Sequence, residues 1–406
     1  MNNSRNRIIE EIAGAIDIPD SAYEKAQARY KDLGGWFGRK EARCYAFGPH
    51  ICSQGSFRLG TVIRPVDEDG EYDLDMGCRL NIGIAKSTHT QQRLKELVGA
   101  DLEDYRIARG INDKQEEKHR CWRLKYADIL KFHLDIVPSI PETPANRRLI
   151  QEAMIRTGAS AGLAVLVANL TGAITDNRMW NYRIIDDGWR LSNSEGFARW
   201  FESRIRLEKA LMERLALQAR AAKLDELPAY KWKSPLQRCV QLLKRHRDIM
   251  FADDPEGRPA SIIITTLSAM AYMGEAEIAD ALERILSGTE SLINPYSPRV
   301  PNPVNPDEDF ADRWTDQALG NKNLEANFWS WLRQAKLDFE TVGKQRNPEL
   351  IVEAARAKLG VSLNADDLKT KLGIGSKGDL LKPAAVPAGL KFPDKPLIPK
   401  KPAGFA

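Results

Sequence analysis

The sequence predicts an α+β protein: a lobe built on a mixed sheet, then a helical lobe, then an extended tail. Three observations carry that prediction. Tyr72-Asp73-Leu74-Asp75-Met76 and Lys131-Phe132-His133-Leu134-Asp135-Ile136 alternate polar and apolar residues with period two, as strands with one buried face do. From Ser194 onward the apolar spacing becomes helical, as in Phe197, Trp200, Phe201 and Ile205. From Pro383 to the end, six prolines fall among 24 residues with interspersed lysines, which predicts an extended, disordered tail. The expected division is residues 1–200 for the sheet lobe, 201–365 for the helical lobe and 366–406 for the tail.

Taken in order, residues 4–37 read as two helices broken at Pro19, with Asp20 or Ser21 as N-cap of the second. The short apolar segment 44–52 leads into the sheet. Residues 73–80 form the first carboxylate strand, 91–102 a helix, and 119–126 and 130–137 two further strands. The helical lobe holds amphipathic helices over 194–205 and 236–251 and a nearly all-apolar, hence buried, helix over 261–273. Helices over 275–286, 324–339 and 348–359 complete it.

At 406 residues the chain is long enough for two domains with their own cores. A net charge of +4, with both signs interspersed, does not announce a duplex-DNA binder. Five scattered cysteines without a Cys-x-x-Cys pair argue against structural zinc and for reduced thiols in a cytoplasmic protein. No apolar h-region follows the N-terminus, and the apolar runs 163–170 and 262–273 are too short to span a bilayer.

The chemistry concentrates between Gln54 and Met76. Gly55-Ser56 offers a small turn whose N–H groups and hydroxyl can hold phosphate oxygens. Asp73 and Asp75, two apart on a strand, share one face, and two such carboxylates are most readily both ionised around a divalent cation. Asp135 repeats the pattern on a later strand and is the candidate third ligand of a two-metal site. Asp67 and Asp69 form a competing Asp-x-Asp, but their Pro-Val-Asp-Glu-Asp-Gly setting is turn chemistry. Arg123 and Lys125, two apart on a strand, are candidates for acceptor phosphate.

In this order and at these separations, the motifs resemble a known family. They are Gln54-Gly55-Ser56, Asp73-Leu74-Asp75, His133-Leu134-Asp135-Ile136-Val137-Pro138, Ser192-Asn193-Ser194-Glu195-Gly196-Phe197 with Trp200-Phe201, Leu243-Lys244-Arg245-His246-Arg247-Asp248, the run 261–267, and Asn302-Pro303-Val304-Asn305-Pro306. The family is the bacterial cGAS/DncV-like nucleotidyltransferases, the second-messenger synthetases of CBASS anti-phage systems. One departure stands out: sixteen residues separate Ser56 from Asp73, more than the superfamily's usual spacing.

The resemblance implies a polymerase-β-like nucleotidyltransferase lobe and a helical lobe with nucleotides between them. It implies template-independent joining of ATP, GTP or other triphosphates into a cyclic di- or trinucleotide that activates a separate effector, with no membrane and no obligatory nucleic acid. Two magnesium ions, with manganese as an alternative, would sit on Asp73, Asp75 and Asp135. Gln54, Gly55, Ser56, Lys244 and Ser261 would bind nucleotide, Lys244 as a point charge on a β- or γ-phosphate and Ser261 from a helix N-terminus. Asp309 is a candidate reader of guanine N1–H and N2–H, against the plainer reading of a loop that caps the next helix. The Gly404-Phe405-Ala406 terminus resembles those conjugated through the final carboxylate, here Ala406, by a ubiquitin-activating-type ligase. The alternatives are a transferase that extends RNA, for which no basic track is evident, and a catalytically silent binding module.

Overall fold

The computed structural model describes residues 2–67, 70–126, 132–205 and 233–373. Helices α1 (Asn2–Ala15) and α2 (Asp20–Phe37) flank the break at Pro19. Pro19 itself takes the capping position, in extended conformation and without a side-chain cap, and Asp20 is the first helical residue.

Alternation builds the sheet. Strands β1 (Pro49–Ser53) and β2 (Tyr72–Leu80) pair antiparallel, with the short helix α3 (Gly55–Leu59) following β1. Helix α4 (Gln91–Ala108) starts at Thr90, whose hydroxyl accepts from the Arg93 N–H. Strands β3 (Glu116–Glu117), β4 (Trp122–Tyr126) and β5 (Phe132–Pro141) complete the spatial order β1-β2-β5-β4-β3. The β2–β5 pair is parallel, so the sheet is mixed. Its register sets Asp73 beside His133 and Asp75 beside Asp135. On β2, Tyr72, Leu74 and Met76 are buried while Asp73 is exposed, and on β5 Phe132, Leu134 and Ile136 are buried. Helix α4 closes the apolar side: a Cβ on its Gly99 would lie 2.5 Å from the Trp122 ring, so only glycine lets the β4 indole seat there.

The helices α5 (Pro144–Arg156) and α6 (Ala161–Leu170) were not legible from spacing, and the run 163–170 belongs to the second. Strands β6 (Gly172–Ile174) and β7 (Arg190–Ser192) extend the sheet from β5. Then come α7 (Ser194–Arg204), α8 (Pro235–Met250), α9 (Ser261–Ala271) and α10 (Ile278–Gly288), a small hairpin of β8 (Pro301–Asn302) and β9 (Asn305–Asp309), and α11 (Leu324–Lys344), α12 (Pro348–Leu359) and α13 (Ala365–Leu372). Among the described residues no helix is long and apolar enough to cross a membrane.

The apolar side chains sort into two cores that do not divide at residue 200. One holds α2, α4 and the sheet. The other holds the C-terminal helices together with α1, α5, α6 and α7, through Ile8, Ile9 and Ile12, Ile150, Val167 and Phe197. The reason is local: α1, α5 and α6 each present an apolar stripe that the small sheet, already covered by α2 and α4, has no surface left to bury. The expected extended tail also begins too early. Asn364 caps α13 by accepting from the Asp366 and Asp367 N–H groups, Gly373 ends it at φ +69°, and Lys371 pairs with Glu11 of α1 at 2.6 Å. The rest of that segment, with Ala406, lies outside the described residues.

Candidate functional site

The turn after β1 is built around one carboxylate. The Gln54 N–H donates to the Asp75 carbonyl at 2.8 Å, fixing the exit of β1 against β2. Gly55 then sits at φ +61°, and a Cβ there would fall 1.9 Å from Asp75 Oδ2. Glycine is required twice over, by conformation and by contact. Ser56, one residue into α3, lines the cleft in front of the sheet. The Gln54 side chain turns elsewhere, over Gly77 and toward Cys52 Sγ at 4.0 Å, so Gln54 shapes the turn instead of lining the cleft.

Across the turn stand the carboxylates. Burial pushes Asp75 up to about 6, and the charges of Asp73 and Asp135 push the same way, against Lys244 and Arg123. Among the described residues no donor reaches the Asp75 carboxylate. Asp135 lies on the expected face, and the Arg123 guanidinium holds both of its oxygens in a fork at 2.7 and 2.6 Å. Lys125 pairs with Glu116 at 2.5 Å, and His133 sits 2.5 Å from Glu71 and 3.6 Å from Asp73. Arg123 and Lys125, the candidates for acceptor phosphate, therefore already hold carboxylate partners.

Helix α8 supplies the opposite wall and explains the long spacing between Ser56 and Asp73. Gln237 Nε2 donates to the Leu59 carbonyl at 2.9 Å, Lys244 Nζ to Thr61 at 3.0 Å, Gln241 Nε2 to Val62 at 2.6 Å, and Arg245 to Arg64 at 2.5 Å. Positions 237, 241, 244 and 245 share one helical face. The extra residues are thus a strap stitched carbonyl by carbonyl to α8. Burial first, and the nearby Arg247, lower the Lys244 ammonium to about 8, while the acids Asp248, Asp75 and Asp73 oppose this. The Arg247 guanidinium donates to Ser261 Oγ at 2.7 Å, to the Pro259 carbonyl at 3.0 Å and to Asp248. Ser261 is the first residue of α9, lines the cleft, and does not cap the helix.

Between these walls lies a cleft of about 400 Å³, lined by Gly55, Ser56, Asp73, Asp75, Lys244 and Ser261 together with the strap. Arg64 also lines it, and among the described residues no partner pairs with that guanidinium. A buried network anchors the turn from behind. Arg58 of α3 forks onto Glu195 of α7 at 2.8 and 2.8 Å and reaches Glu202 at 2.6 Å, and Arg199 bonds Glu195 at 2.8 Å. The spacing did not mark Arg58, Gln237 or Gln241. The resemblance quoted Glu195 without a role, and the structure supplies the partner.

The donor set suits a hard divalent cation: oxygens only, crowded like charge, and an Asp75 carboxylate with no donor among the described residues. Asp73 and Asp75 fit such an ion. Among the described residues no group of three acid, histidine or cysteine side chains converges as a metal cage, and Arg123 takes one bond from each Asp135 oxygen, leaving a lone pair on each. Of the competing pair, Asp69 lies outside the described residues. Asp309 is corrected. It accepts from the backbone N–H groups of Arg299, Val300 and Ala311 at 2.7, 2.9 and 2.9 Å, and it does not line the cleft. With the Ser297 hydroxyl at 3.3 Å as a fourth donor, the carboxylate has no capacity left to read a base; it ties its own loop together and does not cap the next helix, Asp312–Trp314, whose N-cap is Ala311 without a side-chain bond.

The geometry is that of a nucleotidyltransferase: a glycine-serine turn seated on a two-carboxylate strand, facing a lysine from a second lobe. The family model described as cyclic GMP-AMP synthase DncV-like, nucleotidyltransferase domain, matches residues 49–138. A c-di-GMP synthase of Roseivirga ehrenbergii is 30% identical over 346 residues, 84% of this chain and 80% of that protein. The chain belongs to the DncV-like nucleotidyltransferases. The cyclic dinucleotide synthase CdnG of Bradyrhizobium diazoefficiens is 26% identical over 332 residues, 77% of this chain and 70% of that one. The CdnG structure in complex with GTP covers 91% of this chain and 98% of its own, with a TM-score of 0.60 at 22% identity, and so shares the fold.

Proposed function

We propose that the chain joins nucleoside triphosphates, GTP among them, into a cyclic dinucleotide with release of pyrophosphate. One observation carries this reading: the Gly55 turn lies directly on the Asp75 carboxylate, with Lys244 across the same cleft. In phosphoryl transfer the protein's work is positioning and charge stabilisation. The Gly55–Ser56 turn would hold the donor's phosphates, with Lys244 and Ser261 on the opposite wall. Asp73 and Asp75 would hold two magnesium ions, or manganese in their place, with Asp135 joining them. When bound, such ions neutralise triphosphate charge and acidify the attacking hydroxyl. His133, beside Glu71 and Asp73, keeps the acceptor side of the strand polar. The guanine preference rests on the name of one relative, c-di-GMP synthase, and on the GTP bound in the CdnG structure. ATP is the alternative substrate.

The biological reading follows the family: a cytoplasmic synthetase of anti-phage defence whose product switches on a separate effector. A ubiquitin-activating-type ligase would conjugate the chain through Ala406. Intact-mass analysis after co-expression with such a ligase tests that part alone, and an adduct that survives deletion of Phe405 and Ala406 would contradict it. The enzymatic reading is tested by incubating the purified chain with labelled triphosphates and magnesium and identifying products by mass spectrometry. A phosphatase-resistant cyclic dinucleotide is expected. Extension of an RNA primer, or no product, would overturn it.

A further inference from the structure

On the edge of the sheet away from α8, three guanidinium groups share one buried carboxylate. Arg120 reaches Asp176 at 3.0 Å, Arg178 at 3.1 Å and Arg190 at 3.2 Å. Asp176 is fully buried, whereas each arginine side chain is about half exposed. One acid against three half-exposed bases leaves a surplus of two positive charges, and three guanidinium groups carry more N–H donors than one carboxylate can accept. Burial would raise the Asp176 carboxyl, but hydrogen bonds from Arg178 and Arg120 outweigh it and hold the group below the usual carboxylate range, in accord with that field. Ion pairing alone would need one arginine here, and three make a platform for an anion.

Beside this platform opens a second cleft, of about 640 Å³, that shares no lining residue with the first. Arg178 belongs to both platform and cleft. Trp122, Trp180 and Tyr182 line it as aromatic surfaces, and Arg183, Glu96 and Glu117 as charged ones, with Glu117 already paired to Lys95 at 3.2 Å. Trp180 is 76% exposed, yet it stands on a fixed loop. The fully buried Asn181 next to it accepts from Gln91 at 3.0 Å and donates to Asp186 at 2.6 Å. Gln91 in turn accepts from the Asp176 N–H at 2.8 Å. The hydrogen bonds that fix the arginine platform thus also fix the loop that holds an indole out to solvent.

We propose that this cleft is a second nucleotide-binding site, outside the catalytic one, for a ligand that joins a flat base to a phosphate. Trp180 and Tyr182 offer stacking surface, Glu96 an acceptor for base N–H groups, and Arg178 and Arg183 a seat for phosphate, with Arg120 and Arg190 adding positive charge from beside the cleft. Substrate triphosphate and cyclic product both carry that chemistry. The inference rests on the proposed function only for the choice of guanine probes.

Equilibrium dialysis on the full chain tests it, with a non-hydrolysable GTP analogue and cyclic di-GMP as separate probes. Ser56→Ala with Lys244→Ala first weakens the catalytic cleft. One probe molecule per chain should still bind, and adding Trp180→Ala or Arg178→Ala should weaken it at least tenfold. Trp180→Ala alters an exposed side chain, so a thermal melt close to that of the parent separates lost binding from lost folding. Binding of only the GTP analogue assigns the site to substrate, and binding of only cyclic di-GMP assigns it to product. Failure of both probes to bind the cleft-weakened chain, or binding indifferent to Trp180 and Arg178, overturns the proposal. Product formation by the wild-type chain, measured alongside, tests the catalytic reading separately.

Discussion

Asp75 and Asp309 are the same side chain in opposite circumstances. Asp309 takes three backbone N–H donors, which outweigh the cost of its burial and hold its carboxyl below the usual range. Asp75 has none among the described residues; burial and two neighbouring aspartates raise it to about 6. A chain that satisfies one carboxylate completely and leaves another crowded has assigned them different work. The first holds a loop together, and the second waits for positive charge from outside the protein.

The largest effect expected from breaking this contrast is on catalysis. Asp73→Asn or Asp75→Asn should lower product formation about 1,000-fold or more, a loss of roughly 4 kcal/mol of transition-state stabilisation. Circular dichroism and thermal melts should show an intact fold. Appreciable synthesis by the double variant would shift the assignment to Asp67 and Asp69.

The next effect is on stability. Arg58→Ala leaves buried Glu195 and half-buried Glu202 with Arg199 as their remaining partner and should cost about 3 kcal/mol, read from denaturant unfolding. Asp309→Asn loses carboxylate bonds and should cost about 1–3 kcal/mol by the same measurement.

Arg64→Ala, at a cleft cation with no partner among the described residues, should raise KM for the donor triphosphate about tenfold, equivalent to about 1.4 kcal/mol, with kcat little changed. An unchanged KM would remove Arg64 from the nucleotide's path.

The smallest effect is on pH dependence without metal. Asp75 is raised above its unfolded value of 3.8, so the folded state binds the extra proton between 3.8 and about 6. Its ionisation costs stability, and that cost grows as pH rises through this window. In EDTA, Asp75→Asn should match the wild-type Tm near the low end of the window and exceed it above pH 6. Asp309 has the opposite sign: its contribution is present above the unfolded 3.8 and lost as pH falls through the depressed folded value.

Local signals carried much of the fold. Period-two alternation placed β2 and β5, and helical spacing located α8, α9 and α12 to within a few residues of their observed ends. The carboxylate face was legible because side-chain direction on a strand is set by parity. The Arg123–Asp135 fork was not, because parity puts two residues on one face without saying that strands β4 and β5 are neighbours. The strap was visible only as an anomalous length, since its hydrogen bonds come from a helix roughly 180 residues away. Asp309 lay close enough to the family motif to suggest a base reader, and only the backbone geometry shows its N–H partners. The core that α1 joins was hidden for the same reason: α1 looks like any amphipathic helix, and its packing partner is a tertiary fact.

The most direct test sets Asp75→Asn beside Asp309→Asn in one product assay with labelled GTP, ATP and magnesium. Asp309→Asn should make the same products in the same ratio at near wild-type rate, from a less stable protein. Asp75→Asn should make none, from a protein at least as stable as wild type. Synthesis that survives in Asp75→Asn and fails in a folded Asp309→Asn would contradict the account at its centre.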